Sequence, residues 1–265
     1  MLHFDDIVFG PIFSRRLGSS LGVNILPSEG KFCNFDCVYC ECGWNKDGVG
    51  KRQFPDLDQI VKAFEEKMSG LSADGTAVDS ITFSGNGEPT MHPDFPEIID
   101  AVLRCRDKYF PQAKVSVLSN AYLAGRPSVA EALKRVDNPI LKIDASSDEL
   151  VRQINKPVGD YRLEEIIEAL KAFEGNFILQ TMFLRSPDFD TAAPEALARW
   201  IEIVRELHPR EIMVYTIDRE TPDKRHFHIC PKYSFSDLSA KVFLKLDQKF
   251  LIQRYCHIGL CCLYI

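Results

Sequence analysis

The chain has 265 residues, of which 45% are hydrophobic and 26% charged, a composition typical of folded globular proteins that excludes the disordered and fibrous classes. Its formal net charge of −6 provides no overall attraction to nucleic acid or to an anionic membrane. No apolar run reaches the ~18 residues of a membrane helix, and the N-terminus lacks the basic and apolar segments of a secretory signal. We therefore expect a cytoplasmic protein without membrane contact.

Six short β-branched or apolar runs alternate with segments of helical periodicity. The strand candidates are residues 22–26, 80–83, 114–118, 140–143, 177–183 and 211–217. The alternation predicts an α/β fold of parallel strands joined by right-handed crossovers, either an open, curved barrel or a flat doubly wound sheet. Both architectures place ligand sites at the carboxyl ends of the strands.

Three of the nine cysteines follow the first strand candidate with the spacing C-x3-C-x2-C: Cys33, Cys37 and Cys40. In a reducing compartment such a group indicates metal ligands and not disulfides. On a cluster of four irons, three thiolates leave one iron without a protein ligand, which is the open position that a catalytic centre needs. The spacing alone also allows a zinc site, with Cys42 or a distant histidine as the fourth ligand.

A glycine-rich loop with one acidic residue follows the second strand candidate. Its central residues are Gly85, Asn86, Gly87 and Glu88. Glycines allow a sharp turn and a close approach of the backbone to a ligand, and Glu88 offers an acceptor for an ammonium group. Taken alone, the loop equally fits an ordinary turn.

The cysteine spacing, with the aromatic Tyr39 before the third cysteine, resembles the hallmark of the radical S-adenosylmethionine (SAM) superfamily. The loop at Gly85 to Glu88 is similar to that family's Gly-Gly-Glu motif, which holds the amino group of SAM. The resemblance implies an open, partial (β/α)6 barrel of parallel strands with outer helices, and a [4Fe-4S] cluster on Cys33, Cys37 and Cys40. It also implies reductive cleavage of SAM to a 5′-deoxyadenosyl radical, with an electron donor such as flavodoxin or ferredoxin.

Family members use polar residues at the following strand ends for the ribose and the carboxylate of SAM. The resemblance therefore implies cofactor contacts at Tyr39, Asn86, Ser119, Asn120, Asp144 and Ser146. Helix capping is an equally open role for Ser146 or Ser147. Four more residues are candidates for the cavity lining: Gln180, Thr181, Tyr215 and Asp218. No residue is indicated as acting directly on a substrate.

Residues 10–22, 155–157 and 215–219 resemble a branch of iron-sulfur oxidoreductases related to the wyosine-type tRNA-modifying enzymes. That branch favours a tRNA substrate, whereas the acidic charge argues mildly against one. A peptide, a protein or a small molecule is the alternative substrate. Activation of a glycyl-radical-type partner enzyme is a further alternative, and a non-catalytic zinc or iron-sulfur module is the contrasting one.

Residues 1–222 are predicted to form the core barrel, including its entrance segment with Arg15 and Arg16, and residues 223–265 a C-terminal extension that packs on it. The extension lacks the strand-helix alternation of the core. Its cysteines have no regular ligand spacing, which argues against an auxiliary cluster: Cys230, Cys256, Cys261 and Cys262.

Overall fold

The computed structural model describes residues 3–14, 18–48, 53–215 and 223, together with the backbone of residues 251–254. Within these residues, eight strands form one sheet whose spatial order is the order of the chain. The strands are β1 (Val8–Ser14), β2 (Gly18–Val23), β3 (Ser80–Phe83), β4 (Lys114–Ser119), β5 (Asn138–Lys142), β6 (Ile178–Met182), β7 (Glu211–Tyr215) and β8 (Leu251–Arg254).

β1 and β2 form an antiparallel hairpin at one edge of the sheet. Every later pairing, from β2 with β3 to β7 with β8, is parallel. The crossovers up to β7 carry six α-helices: α1 (Leu57–Ala73), α2 (Phe95–Tyr109), α3 (Pro127–Arg135), α4 (Asp148–Ile154), α5 (Leu163–Lys171) and α6 (Pro194–Leu207). Parallel strands require such crossovers, because consecutive strands run in the same direction.

The helices form because their apolar residues recur on one face, which packs on the sheet. In α1 the buried residues are Ile60, Phe64 and Met68, spaced four residues apart. The helix begins with a capping box between Asp56 and Gln59, which satisfies backbone donors at its first turn. The main core therefore lies between the sheet and the helices.

The opposite face of the strands carries a second, small apolar cluster. Ile140, Ile178 and Met213 pack there with the partly buried Leu118. Two residues further along these strands, on the same face, Lys142 pairs with Gln180. A polar layer therefore lies next to the apolar one. No helix in the described part of the chain is long and apolar enough to cross a membrane.

The predicted α/β fold of parallel strands is confirmed, and all six strand candidates overlap observed strands. The first begins earlier than predicted, at Gly18, and ends at Val23, so residues 24–26 belong to the following loop. β1 and β8 were not predicted. β8 lies in the predicted C-terminal extension, where it pairs with β7; the division at residue 222 stays a prediction.

The Asp137 carboxylate connects α2, β4 and the start of β5 through hydrogen bonds. We predict that its replacement lowers the free energy of unfolding. Its carboxylate accepts hydrogen bonds from Arg106, Val115 N and Lys114 at 2.8, 2.9 and 3.2 Å. Burial alone would raise the pKa of Asp137, but these hydrogen bonds outweigh it, and the pKa lies below its ordinary value. The stabilisation is therefore present above the unfolded pKa and is lost as pH falls through the lower, folded one.

Asp137→Asn is expected to lower the free energy of unfolding by about 1–2 kcal/mol at pH 7, measured by urea denaturation. The difference from the unsubstituted protein should shrink below about pH 4. Asp107→Asn is the matched control, because Asp107 accepts from the same Arg106 but is exposed, and it should cost less than about 0.5 kcal/mol. An equal loss for Asp137→Asn at both pH values would contradict the assignment.

Candidate metal and cofactor site

Loops at the carboxyl ends of the parallel strands surround a cavity of about 190 Å³. The cysteine loop supplies one wall, the glycine loop a second, and the ends of β4 to β7 the remainder. The lining residues from the cysteine loop and the segments before it are Phe4, Lys31, Cys33, Phe35, Cys37, Tyr39, Cys40, Glu41 and Cys42. Those from the strand ends are Ser84, Gly85, Gly87, Glu88, Leu118, Ser119, Asn120, Lys142, Gln180, Met182 and Tyr215.

The cysteine loop has almost no regular secondary structure and is held by side chains. Asn45 accepts a hydrogen bond from Cys33 N at 3.1 Å and donates to the carbonyls of Cys33 and Phe35 at 3.0 and 3.1 Å. The Lys31 ammonium bonds Asp36 at 3.1 Å and the Gly43 carbonyl at 3.2 Å. These bonds hold the cysteine loop in place without a contribution from a metal.

A second segment, residues 154–158, pairs with the cysteine loop. Asp36 N donates to the Asn155 carbonyl, and Val38 N to the Ile154 carbonyl, both at 2.9 Å. Val158 N donates to the Asn34 carbonyl at 2.8 Å. The cysteines are therefore anchored to the end of α4 as well as to their own strand.

The separation of the cysteine sulfurs distinguishes a cluster from a single ion. Among the described residues, no three cysteine sulfurs lie within 4.8 Å of one another; the group that does meet this limit is the exposed Glu164, Glu168 and Glu206. A tetrahedral zinc with Zn–S bonds of about 2.3 Å needs its thiolates closer than that. In an iron-sulfur cluster the thiolates bind different metal atoms and stand farther apart. The spacing of the cysteine sulfurs is therefore not that of a closed zinc site and is compatible with a cluster.

The protonation of the thiols depends on burial and on their neighbours. Burial raises the pKa of Cys33 and of Cys37, and the nearby Lys31 opposes that rise. The hydrogen bond with Cys42 lowers the pKa of Cys40 and raises that of Cys42. Metal binding needs thiolates, and Lys31 favours them electrostatically.

The glycine loop packs directly against the start of the cysteine loop. Phe32 N donates to the Asn86 carbonyl at 2.6 Å, and Glu88 N donates to the Phe32 carbonyl at 3.1 Å. Gly87 has a φ of +144°, and a Cβ there would lie 1.9 Å from the Phe32 carbonyl oxygen. Only glycine fits this position.

Glu88 is a buried carboxylate that faces the cavity. Its Oε1 accepts from Thr90 N, Thr90 Oγ1 and Ser119 Oγ at 3.1, 2.6 and 2.9 Å. Its Oε2 accepts only from Asn120 N, at 2.7 Å, among the contacts described. Burial raises the pKa of Glu88, although these hydrogen bonds oppose the rise. A ligand cation beside Oε2 would favour the ionised form.

Asn86 lies in the same loop but does not line the cavity. Its side chain accepts from Phe4 N and donates to the carbonyls of Phe4 and Pro27, at 3.0, 2.8 and 3.1 Å. The predicted cofactor contact at Asn86 therefore has little geometric support, because the amide is used to hold the N-terminal segment.

Two of the predicted SAM contacts lie together near Glu88. Ser119 bonds Oε1 of Glu88, and Asn120 donates its amide to Asn34 at 2.6 Å and to Cys33 Sγ at 3.7 Å. Ala121 follows with a φ of +64°, a strained conformation for a non-glycine residue that is frequent at functional sites.

The other predicted contacts lie on the far side of Tyr39. The Tyr39 hydroxyl donates to Asp144, whose other carboxylate oxygen accepts from Met182 N at 2.8 Å. Neither Asp144 nor Ser146 lines the cavity. Ser147 caps α4 by accepting from Leu150 N, so capping falls to the second of the two serines considered.

Several lining residues were not predicted from the sequence, notably Phe4, Lys31 and Lys142. The Lys142 Nζ bonds the Tyr39 hydroxyl at 3.1 Å and lies 5.0 Å from the Tyr39 ring centroid. Lys142 ends β5 as the single charged residue of an apolar run, which was the available clue.

The remaining cavity candidates divide in three ways. Gln180 and Tyr215 line the cavity. Thr181 instead bonds the Ile143 carbonyl and Trp200 within the core. Asp218 lies outside the described residues, as do the entrance-segment arginines and the C-terminal cysteines: Arg15, Arg16, Cys230, Cys256, Cys261 and Cys262.

Comparison with known proteins identifies the family. The model of the radical SAM superfamily matches residues 30–184. A UPF0026 protein of Methanocaldococcus jannaschii is 33% identical over 224 residues, which cover 82% of this chain and 65% of that protein. The chain thus spans less than two thirds of that relative's length.

Solved structures share the fold at low sequence identity. Streptococcus suis SuiB bound to S-adenosylmethionine has a TM-score of 0.61 at 17% identity, over 85% of this chain and 48% of that one. Archaeal TYW1 has a TM-score of 0.50 at 13% identity, over 87% of this chain and 72% of that one. Since the superfamily model covers more than half of the chain, the chain belongs to the radical SAM superfamily, whose members are enzymes that use SAM and a [4Fe-4S] cluster.

Proposed function

We propose that Cys33, Cys37 and Cys40 bind a [4Fe-4S] cluster and that the cavity beside them binds SAM for reductive cleavage. The observation that carries the proposal is the placement of three separated thiols and one buried carboxylate, Glu88, on the walls of the same cavity. If bound there, the cluster would supply one electron to the sulfonium of SAM. A carbon–sulfur bond of SAM would break to give methionine and a 5′-deoxyadenosyl radical, which would abstract hydrogen from a substrate.

The protein's own residues bind and orient the cofactor. Oε2 of Glu88 has remaining acceptor capacity for the ammonium of SAM, because a carboxylate oxygen offers two lone-pair sites and a single described bond reaches it. Ser119 and Asn120 hold that carboxylate and reach the same cavity. Phe4 and Phe35 add apolar walls that limit the access of water.

The substrate is proposed to enter over the ends of β5 to β7. Lys142, Gln180 and Tyr215 line that part of the cavity, above the apolar cluster of Ile140 and Met213. The branch resemblance supports a tRNA substrate, and the charge of −6 argues mildly against one. A peptide, a protein or a small molecule is the alternative substrate. A flavodoxin or a ferredoxin is proposed as the electron donor.

Anaerobic reconstitution tests the proposal. The protein should bind about four irons per chain, turn brown and form 5′-deoxyadenosine when SAM and a reductant are added. One zinc per chain without colour would support the zinc module instead. Fully loaded protein that forms no 5′-deoxyadenosine would overturn the proposed reaction.

We predict that Cys37→Ala abolishes both the cluster and SAM cleavage, because three thiolates are the minimum that holds the cluster here. Cys42→Ala is the matched variant, since Cys42 lines the same cavity but bonds Cys40 and the Gly85 carbonyl. It should retain about four irons per chain by iron analysis and by absorption. Loss of the metal in Cys42→Ala with retention in Cys37→Ala would contradict the ligand set.

We predict that Glu88→Gln weakens SAM binding while the cluster is retained. The substitution removes the negative charge and places an NH₂ group against donors such as Asn120 N. The dissociation constant for SAM should rise about 10- to 100-fold, measured by anaerobic equilibrium titration with iron analysis alongside. Thr90→Val, which removes one bond to Glu88 but leaves its charge, should have a smaller effect. Equal effects of the two would argue against an ammonium partner for Glu88.

A further inference from the structure

We propose that Asn155 is a positioning residue that raises the reduction potential of the cluster through a hydrogen bond to the Cys37 thiolate. The inference rests on the proposed ligation by Cys37 and adds a role for a residue outside the ligand set. Asn155 Nδ2 lies 3.4 Å from Cys37 Sγ, although the two residues are 118 positions apart.

The orientation of the Asn155 amide follows from its neighbours. Nδ2 lies 2.8 Å from Asp144 Oδ2 and 3.2 Å from the Tyr39 hydroxyl oxygen. That hydroxyl already donates its hydrogen to Asp144, so both oxygens act as acceptors towards the amide. The atom that faces them must therefore be the NH₂ nitrogen and not the carbonyl oxygen. One of its two hydrogens serves Asp144, and the other is directed to the side of Cys37 and Tyr39.

The backbone around Asn155 keeps this amide in place. The Asn155 carbonyl accepts a hydrogen bond from the backbone N of Asp36, which lies between Cys33 and Cys37 in the chain. Next to this bond, Phe35 and Pro157 form an isolated β-bridge. Lys156 has a φ of +45°, which is costly for a lysine and persists only where the surroundings impose it. Asn155 itself is 2% exposed, so neither water nor a rotamer change readily replaces the hydrogen bond.

The physical effect has a definite sign. Reduction adds one electron to the cluster and forms or breaks no covalent bond. The thiolate sulfurs share the added negative charge, so a donor directed at Cys37 Sγ stabilises the reduced state more than the oxidised one. Burial strengthens the effect, because the local dielectric constant is low. The hydrogen bond therefore makes the cluster easier to reduce.

Asn155→Leu tests the inference, because leucine has a similar size and no donor. The midpoint potential of the reconstituted cluster would be measured by redox titration followed by electron paramagnetic resonance, without SAM and without reference to turnover. At the midpoint of the unsubstituted protein, the ratio of reduced to oxidised cluster should fall about three- to tenfold, where tenfold corresponds to about 59 mV for one electron. A loaded Asn155→Leu protein with an unchanged potential would overturn the inference.

Asn45→Leu is the matched control, since the described bonds of Asn45 to the same loop reach the backbone of Cys33 and Phe35. An equal shift in both variants would assign the effect to loosening of the loop and overturn the inference. Asn155→Ala removes the donor without adding a charge if the leucine variant fails to load, and its potential must also fall. Absence of any iron-sulfur cluster from the unsubstituted protein would instead refute the proposed function itself.

Discussion

The contact between Gly87 and Phe32 is the constraint on which the candidate site depends. The two loops that carry the cysteines and Glu88 start from neighbouring strands, and their backbones pair at this point through Phe32 N, the Phe32 carbonyl and Glu88 N. The approach is so close that a Cβ on Gly87 would lie 1.9 Å from the Phe32 carbonyl oxygen. A side chain there would separate the loops, and the carboxylate would no longer face the thiols. Glycine at position 87 is therefore what allows the cysteine loop and the glycine loop to meet.

Charge balance is the second constraint on the cavity. Lys31 has a side chain only 1% exposed, and a buried ammonium is unfavourable unless anions surround it. Burial lowers the pKa of Lys31, but the thiolates of Cys40, Cys33 and Cys37 together with Asp36 raise it above its ordinary value. The dependence is mutual, because the same ammonium favours the thiolate forms that bind metal. The buried charges are therefore stable as a group and not singly.

Much of the fold could be predicted because its signals are local. The apolar runs of β3 to β7 and the helical faces between them act through neighbouring residues, and the parallel order follows from their alternation. β1 was missed because Gly10 and Pro11 interrupt it, and its register shifts between Phe9 and Ile12. β8 follows a long segment without the alternation, so the sequence offered no partner for it.

The candidate site shows the same difference between features with a local sequence signal and features without one. The cysteine and glycine loops are compact motifs. The first was noticed from its spacing, and the second from its similarity to a family motif. The bonds of Asn155 to Cys37 and of Lys142 to Tyr39 join residues more than 100 positions apart, and no local pattern encodes them. Residues 155–157 were noticed only as a family resemblance. Their role depends on the end of α4 pairing with the cysteine loop, which is a property of the assembled sheet.

The two parts of the cavity differ in the residues that line them. The cysteine and glycine loops, with Asn120 and Asn155, surround the sulfurs with donors and fixed backbone, an arrangement that suits electron transfer and cofactor binding. The ends of β5 to β7 present Lys142, Gln180 and Tyr215 next to an apolar layer of Ile140, Ile178 and Met213. A substrate in this part of the cavity would meet a polar layer over an apolar floor. The two parts are connected, because Lys142 bonds the Tyr39 hydroxyl and that hydroxyl accepts from Asn155. A change at Lys142 would therefore also affect the hydrogen bonds around the cysteines.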